Sequence, residues 1–296
     1  MRPQQFAAFA LIGLIWGSEW IAKQAIDSPP LRALAIRHGI GALLLAFVSG
    51  VRRIERPAAG SMIASALTGF TMLALPAMLI AWAADRISPG LLVVILSLTP
   101  LLAALLEECA GGLLAPLMGG VGGTTLMASQ GLSFAAVEWT GAAAMLAAAA
   151  LIAGSIVYVK RRLSGVSPLT LSGIQLAAGC ATLLLGSLAR EGWSGWGWTR
   201  ESLSWELILA VFGNCLAFPL YYHLLQRLDS FQLASTQWLV TLAGVVEALI
   251  LLGGRPSWRL PGGMILTLVS LWSLLRRGAK DEKPLTIQIT FPPSSD

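Results

Sequence analysis

Ten apolar segments follow one another along the chain, and each is close to the length needed to cross a bilayer. A membrane-spanning helix needs about 20 apolar residues to cross roughly 30 Å of hydrocarbon. Hydrophobic residues make up 56% of the chain and charged residues only 12%, whereas about a quarter of a soluble domain is charged. The pattern therefore predicts an all-α integral membrane protein with ten transmembrane helices. The predicted spans are residues 5–26, 31–50, 59–84, 89–107, 113–129, 138–160, 168–189, 204–225, 231–252 and 260–276.

The basic residues predict how these spans are oriented. Lys and Arg are enriched in short cytoplasmic loops of membrane proteins. If the N-terminus is cytoplasmic, every cluster of basic residues lies on the cytoplasmic side. We therefore expect a multi-pass protein of the cell (plasma or inner) membrane with both termini in the cytoplasm, and we interpret the first segment as an uncleaved span rather than a signal peptide. The residues on the expected cytoplasmic side are Arg2, Arg52, Arg53, Arg56, Lys160, Arg161, Arg162, Arg227, Arg276, Arg277, Lys280 and Lys283.

The second half of the chain repeats features of the first at an offset of about 137 to 143 residues. "LIWGSEWIAKQAI" aligns with "LIAGSIVYVKRRL", which pairs Gly17 with Gly154 and Lys23 with Lys160. Each half holds five spans, an odd number, so the second half enters the membrane in the opposite orientation. Inverted repeats are typical of alternating-access transporters, although a duplication kept only for packing gives the same pattern. The predicted units are residues 1–129 and 130–277, followed by a disordered cytoplasmic tail at 278–296.

Several motifs in this arrangement resemble one family. "WGSEW" in the first span, "LRALAIRHGIGALLLAF", "AWAADRISPGLLVVILSLTPLLAALLE" and "YYHLLQRLDSFQLASTQWLVTLAGVVEALILLGG" resemble the EamA-like family of the drug/metabolite transporter superfamily. The resemblance implies ten helices in two inverted five-helix repeats around a central cavity, and export of amino acids or other small metabolites. The chain departs from the family pattern at Gly253-Gly254, where Gly-Glu is usual, at Thr241 or Leu242, where a proline is expected, and at the additional acid Glu247.

Charged residues inside the spans are expensive and therefore informative. Glu19 is followed four residues later by Lys23, and Arg37, His38 and Glu247 are expected at a similar depth in the outer half of the membrane. One interpretation is a polar vestibule in which Glu19 takes up protons and Arg37 balances it or a substrate carboxylate. The other is a pair of structural ion pairs, Glu19–Lys23 and Glu247–Arg37, that lock the outer gate or orient helices.

Polar and aromatic residues closer to the midplane are candidates for a solute-binding cavity. Trp16, Asn214, Gln237 and Trp238 combine apolar surface with a few hydrogen-bonding groups, as small-molecule sites do. The amides serve equally well as hydrogen bonds between helices. Prolines Pro76, Pro100 and Pro219 lie within spans, where they are either hinges or packing kinks.

Together these features predict a secondary transporter, expected to be an exporter of small organic solutes such as amino acids, related metabolites or drugs. No Walker A sequence is present, so the chain has no ATP-driven motor of its own, and coupling to protons is one possibility. The alternatives are a membrane channel or scramblase, or an integral membrane enzyme. We expect no catalytic site, cofactor, metal or nucleic-acid partner, and the oligomeric state stays open. The predicted substrate-binding residues are Trp16, Glu19, Arg37, His38, Asn214, Gln237, Trp238 and Glu247.

Overall fold

The structure, a computed structural model, describes residues 3–19, 26, 28–129, 132–133, 138–192, 199–252 and 258–277. All regular secondary structure in these ranges is helical. The predicted tail at 278–296 lies outside the described residues, as does Lys23. The helices are α1 (Pro3–Gly17), α2 (Pro30–Val51), α3 (Ala59–Ala83), α4 (Pro89–Leu106), α5 (Leu114–Ala128), α6 (Trp139–Arg162), α7 (Pro168–Arg190), α8 (Arg200–Leu225), α9 (Ser230–Ala234 and Thr236–Leu252) and α10 (Arg259–Arg277).

Six of the described helices, α2, α3, α4, α6, α7 and α8, are long and apolar enough to cross a membrane. Their bounds agree with the predicted spans to within four residues. Two differences matter for the site. Helix α8 begins at Arg200 rather than at 204, and α1 ends at Gly17, so Glu19 follows the end of that helix.

The starts of several helices follow from local sequence chemistry. Pro30, Pro89 and Pro168 each stand at the first position of a helix, where the missing N–H has no partner to lose and the fixed φ suits the helix. The first turn of α2 also receives a carboxylate from Glu191, the residue that follows α7. The backbone N–H groups of Leu31 and Arg32 donate to Glu191 at 2.8 and 3.1 Å, which satisfies two donors that a helix start leaves open.

The opposite end of the bundle is held by basic side chains on helix C-termini. Lys160 Nζ donates to the carbonyls of Leu225 and Leu228 at 2.8 and 2.7 Å, at the end of α8. Arg161 donates to the carbonyl of Leu106 at the end of α4. Cations suit these positions because the last carbonyls of a helix carry partial negative charge. We call this side the Lys160 end and the opposite side the Glu19 end.

Four of the described helices depart from regular α geometry inside the bundle. Helix α3 contains a π segment at Phe70–Ala74 and α8 one at Leu209–Ala217, and each precedes a proline, Pro76 or Pro219. A proline removes a backbone donor and clashes with the preceding turn, so the chain widens locally instead. Helix α4 breaks between Leu96 and Thr99, and α9 is interrupted at Ser235.

Several helix contacts in one half of the chain have counterparts in the other half. Helix α2 lies along α7, and α5 along α10. Helix α1 contacts α8 and α9, just as α6 contacts α3 and α4. A continuous apolar core that includes Phe9, Leu117, Ile156 and Leu233 joins these pairs. The space left between them toward the Glu19 end holds the candidate site.

Candidate functional site

A cavity of about 600 Å³ lies between α1–α4 on one side and α6, α8 and α9 on the other. Its walls are mainly apolar, and the lining runs from Pro89 at the start of α4 down to Leu233 near the start of α9. Both halves of the chain contribute. The polar side chains that line it are Glu19, His38, Thr99, Asn214, Thr236, Gln237 and Thr241.

An ion cluster borders the cavity near the Glu19 end. Arg37 Nε and Nη2 donate to the two carboxylate oxygens of Glu206 at 2.9 and 3.4 Å. Glu206 is fully buried and Arg37 is 3% exposed. Arg37 Nη1 lies 3.4 Å from Oε2 of Glu19, whose side chain is 26% exposed. The guanidinium is therefore held by one sealed carboxylate and faces a second one at the cavity wall.

Close packing of α2 against the π segment of α8 brings these groups together. A Cβ atom added at Gly41 would lie 2.8 Å from Cβ of Asn214, closer than real Cβ contacts allow, so only glycine permits this approach. Asn214 Nδ2 then donates to the carbonyl of Arg37 at 2.9 Å. This side-chain contact fixes α8 against α2 at the level of the arginine.

An aromatic wall lies deeper in the cavity. The Trp16 ring centroid is 5.2 Å from that of Phe218 and 5.3 Å from that of Tyr221. Trp16 Nε1 donates to the carbonyl of Gly213 at 3.2 Å. Because the indole nitrogen is tied to the π segment, the orientation of the ring is set by α8 rather than by α1 alone.

The cavity is closed toward the Lys160 end by packed side chains. Tyr222 is buried; its hydroxyl donates to Oε1 of Gln175, and Gln175 Nε2 donates to Thr68 Oγ1 at 2.8 Å. Leu225 and Leu228 are buried in the same core. This hydrogen-bonded and apolar layer links α3, α7 and α8 beneath the aromatic wall.

Five of the eight predicted site residues line the cavity: Trp16, Glu19, His38, Asn214 and Gln237. Arg37 lies behind the lining, at the centre of the ion cluster. Trp238 and Glu247 do not line it. The predicted residues thus include four of the seven polar side chains named above, while three predicted side chains lie elsewhere.

Trp238 points away from the cavity, contrary to its expected position. Its side chain is fully buried, and Nε1 donates to the carbonyl of Ser97 at 2.9 Å. The break in α4 frees this carbonyl from a regular helical partner. Pro100 likewise has no N–H for the carbonyl of Leu96, which accepts instead from Thr99 Oγ1 at 2.6 Å. Trp238 therefore supports the broken helix.

The expected pairing of Arg37 with Glu247 is wrong in this structure. Arg37 is paired with Glu206 and faces Glu19. Glu247 lies half-buried on α9, and its Oε2 has no hydrogen-bond partner among the described residues. The other expected pair, Glu19–Lys23, involves a residue outside the described part of the chain.

The sequence analysis did not predict Glu206 of the ion cluster or Phe218 of the aromatic wall. The available signal for Glu206 was a carboxylate near the start of the predicted span 204–225. That position suggested the membrane surface, but the helix begins at Arg200, so Glu206 is one turn deeper. Phe218 carries no comparable signal, because an apolar residue in an apolar span is equally suited to core, lipid or cavity.

Comparisons with known proteins agree with this architecture. The model of the EamA-like transporter family matches residues 6–112 and 139–276. The protein of Bacillus subtilis (strain 168) named "Uncharacterized transporter YvbV" is 25% identical over 292 residues, which cover 95% of this chain and 94% of that protein. A crystal structure of another protein matches with a TM-score of 0.77 at 19% identity, over 95% of this chain and 100% of the other, and shows likeness of fold alone. The chain belongs to the EamA-like transporter family and is a multi-pass membrane transporter.

Proposed function

We propose that the protein is a secondary transporter that exports small organic solutes, such as amino acids or related metabolites and drugs, by alternating access. The observation that carries this proposal is the cavity of about 600 Å³. It is large enough for a small organic molecule, with apolar and aromatic walls and a few placed polar groups. It reaches toward one end of the bundle and is closed at the other, as one state of an alternating-access cycle requires.

Ten membrane-spanning helices in two inverted repeats, residues 1–129 and 130–277, are the second part of the proposal. Equivalent irregularities in the two halves support it. The π segment before Pro76 in α3 has a counterpart before Pro219 in α8, and the break in α4 has one at Ser235 in α9. These features recur at nearly the offset found in the sequence. If both halves bend at equivalent positions, the bundle has two packing arrangements of similar energy.

In the proposed orientation, the protein spans the plasma or inner membrane and both termini lie in the cytoplasm. The basic residues Lys160 and Arg161 lie at the same end of the bundle, the Lys160 end. Because basic residues are enriched on the cytoplasmic side of membrane proteins, we assign this end to the cytoplasm. The cavity then reaches toward the outside.

Flux through reconstituted protein tests the proposal. Liposomes containing the purified chain should take up or release labelled amino acids or amines from a panel, and the rate should saturate with concentration. Empty liposomes provide the baseline. A panel that moves no faster than the baseline contradicts transport, and flux that rises linearly without saturation favours a channel.

Proton coupling through Glu19 gives a separate prediction. Glu19→Gln removes the one carboxylate that lines the described cavity, so the pH dependence of flux should flatten. Glu138→Gln is the matched control, because Glu138 is an exposed carboxylate with its own arginine partner, Arg86, at 3.3 Å. If Glu19→Gln keeps the wild-type pH profile, Glu19 has a structural role only.

A further inference from the structure

The side chains that line the cavity carry an unbalanced charge. Among the described residues of the lining, Glu19 is the only carboxylate, and none is a lysine or an arginine. The Glu19 side chain is 26% exposed, so a molecule in the cavity has access to it. This part of the chain therefore offers a solute one acidic group and no permanent cation.

Arg37 forms ion pairs with both Glu19 and Glu206, so its single positive charge cannot neutralise the two carboxylates. The two oxygens of the fully buried Glu206 lie 2.9 and 3.4 Å from Arg37 Nε and Nη2. Arg37 Nη1 is 3.4 Å from Glu19 and has no hydrogen-bond partner among the described residues. One guanidinium thus faces two carboxylates, and within the described ranges one negative charge is left over when both are ionised.

An uncompensated carboxylate inside a membrane protein is strongly unfavourable. A proton on Glu19 or a cation beside it removes the penalty. Among the described residues, the charged and titratable groups on the helices packed around Glu19 are Arg37 and His38 of α2 and Glu206 of α8. Glu247, on α9, does not line the cavity. No group in the described part of the chain, from which Lys23 is missing, supplies this balance, which leaves a proton or the solute to do so.

The aromatic wall suits an organic cation rather than a metal ion. Trp16 stands three residues before Glu19, lines the same cavity, and has its ring within 5.3 Å of both Phe218 and Tyr221. Aromatic faces attract ammonium groups and bury apolar surface at the same time. A carboxylate at the upper wall and aromatic rings below it match a molecule with a charged head and an apolar body.

We propose that the cavity binds a monovalent organic amine, with its ammonium group at Glu19 and its apolar body against Trp16, Phe218 and Tyr221. A proton replaces the ammonium group on Glu19 when the amine leaves. A solute carboxylate finds no lysine or arginine among the described lining residues. This inference rests on the proposed function, because it names the class of solute for the same cavity.

Three ligands of nearly equal shape test the charge preference. Phenethylamine, 2-phenylethanol and 3-phenylpropionate present an ammonium, a hydroxyl and a carboxylate on the same phenyl-bearing chain. Calorimetric titration of the full chain in detergent should show the amine binding at least about tenfold more tightly than the alcohol, with the carboxylate weakest. Lowering the pH from 8 to 5 should weaken amine binding and leave alcohol binding unchanged, because protons compete only for the charged group.

Two variants connect this preference to the ion cluster. Glu19→Gln should abolish the difference between amine and alcohol. Glu206→Gln should also reduce it, although Glu206 is outside the lining, because Arg37 is then free to neutralise Glu19. Glu138→Gln is the control and should bind like the wild type. Size-exclusion elution and thermal unfolding verify folding, and the Glu19 variant decides the question even if the Glu206 variant does not fold.

Equal binding of amine and alcohol, preference for the carboxylate, absence of binding by all three, or a preference that survives Glu19→Gln would each overturn the inference. Transport is tested separately by the liposome assay. Saturable flux of neutral or anionic solutes would leave the transporter proposal standing without the amine. Amine binding without flux of any solute would contradict transport while leaving the binding site intact.

Discussion

Arg37 joins three helices through its side chain and backbone. Its guanidinium is paired with Glu206 of α8 and faces Glu19 at the end of α1, while its carbonyl accepts from Asn214. Buried ion pairs contribute little net stability when both partners are present, but removing one partner leaves a charge that is costly to bury. The arginine is therefore more important for keeping Glu206 compensated than for any attraction of its own.

Stability measurements on two variants test this role. Arg37→Leu should destabilise the protein by about 3–5 kcal/mol, because Glu206 is fully buried and loses its partner. The double variant Arg37→Leu/Glu206→Leu should recover much of that loss, since no sealed charge remains. Thermal unfolding in detergent provides the comparison. A double variant less stable than the single one would show that the pair itself stabilises the fold.

Sequence reasoning at this scale recognised the expensive residues but not their partners. Glu19, Arg37 and Asn214 stand out because each is polar within an apolar segment. Depth along a helix is readable from residue number, and it placed Glu247 near Arg37. The direction in which a side chain points depends on how α8 and α9 rotate against α2. That rotation comes from packing, which is why Glu206 rather than Glu247 is the partner.

At the scale of elements, α5 and α10 are held together through glycines. A Cβ atom added at Gly123 would lie 2.8 Å from the carbonyl oxygen of Gly263 and from the backbone nitrogen of Thr267. One at Gly122 would meet only Leu266 Cδ2, at 3.7 Å. Small residues of this kind allow membrane helices to approach backbone to backbone. Two adjacent glycines of one helix thus have different roles.

Alanine substitutions separate these roles. Gly123→Ala should lower stability by about 1–3 kcal/mol, because the methyl group pushes α5 and α10 apart. Gly122→Ala should be neutral or stabilising by up to about 1 kcal/mol, since alanine is the better helix former. Thermal unfolding of both variants is the measurement. Equal destabilisation would mean that the two helices pack less closely than described.

Apart from the end of α1 at Gly17, the bounds of the described helices were predictable to within four residues, and their irregularities were not. Pro30, Pro89 and Pro168 are local signals that begin helices, and the change to polar sequence ends them. The π segments in α3 and α8 and the break in α4 leave hydropathy unchanged. Pro76, Pro100 and Pro219 indicate where a helix is irregular. Whether the irregularity is a kink, a π segment or a break depends on the neighbouring helices.

For the whole molecule, the packing of the halves is the feature that matters for transport. Helix pairs α2–α7 and α5–α10 join one half to the other, and the contacts of α1 with α8 and α9 correspond to those of α6 with α3 and α4. The weak repeat between Gly17 and Gly154 and the five spans in each half predict two inverted repeats, and this division of the chain stays a prediction. The position of the cavity followed from family resemblance, whereas its closed floor depends on contacts among distant residues.

Accessibility of a cavity position from both sides tests the alternating cycle. Thr241→Cys, in a background without Cys109, Cys180 and Cys215, places a thiol on the cavity wall. A charged thiol reagent should label it from either side of the membrane, and transported solute should change the rate. Ser204→Cys, exposed near the start of α8, should react from one side only. Labelling of the cavity thiol from a single side contradicts alternating access.

Because α8 contains a π segment, the orientation of the side chains that follow it depends on the exact number of residues in the helix. A π segment corresponds to one residue inserted into an α-helix, and each residue turns the chain by about 100°. Deleting one residue within Leu209–Ala217 would restore regular α geometry and swing Phe218 and Tyr221 by that angle relative to Glu206. The aromatic wall would then leave the cavity while the ion cluster stayed in place. A deletion of one residue there would hardly change the hydropathy of the span, yet it would disrupt the cavity more than many single substitutions would.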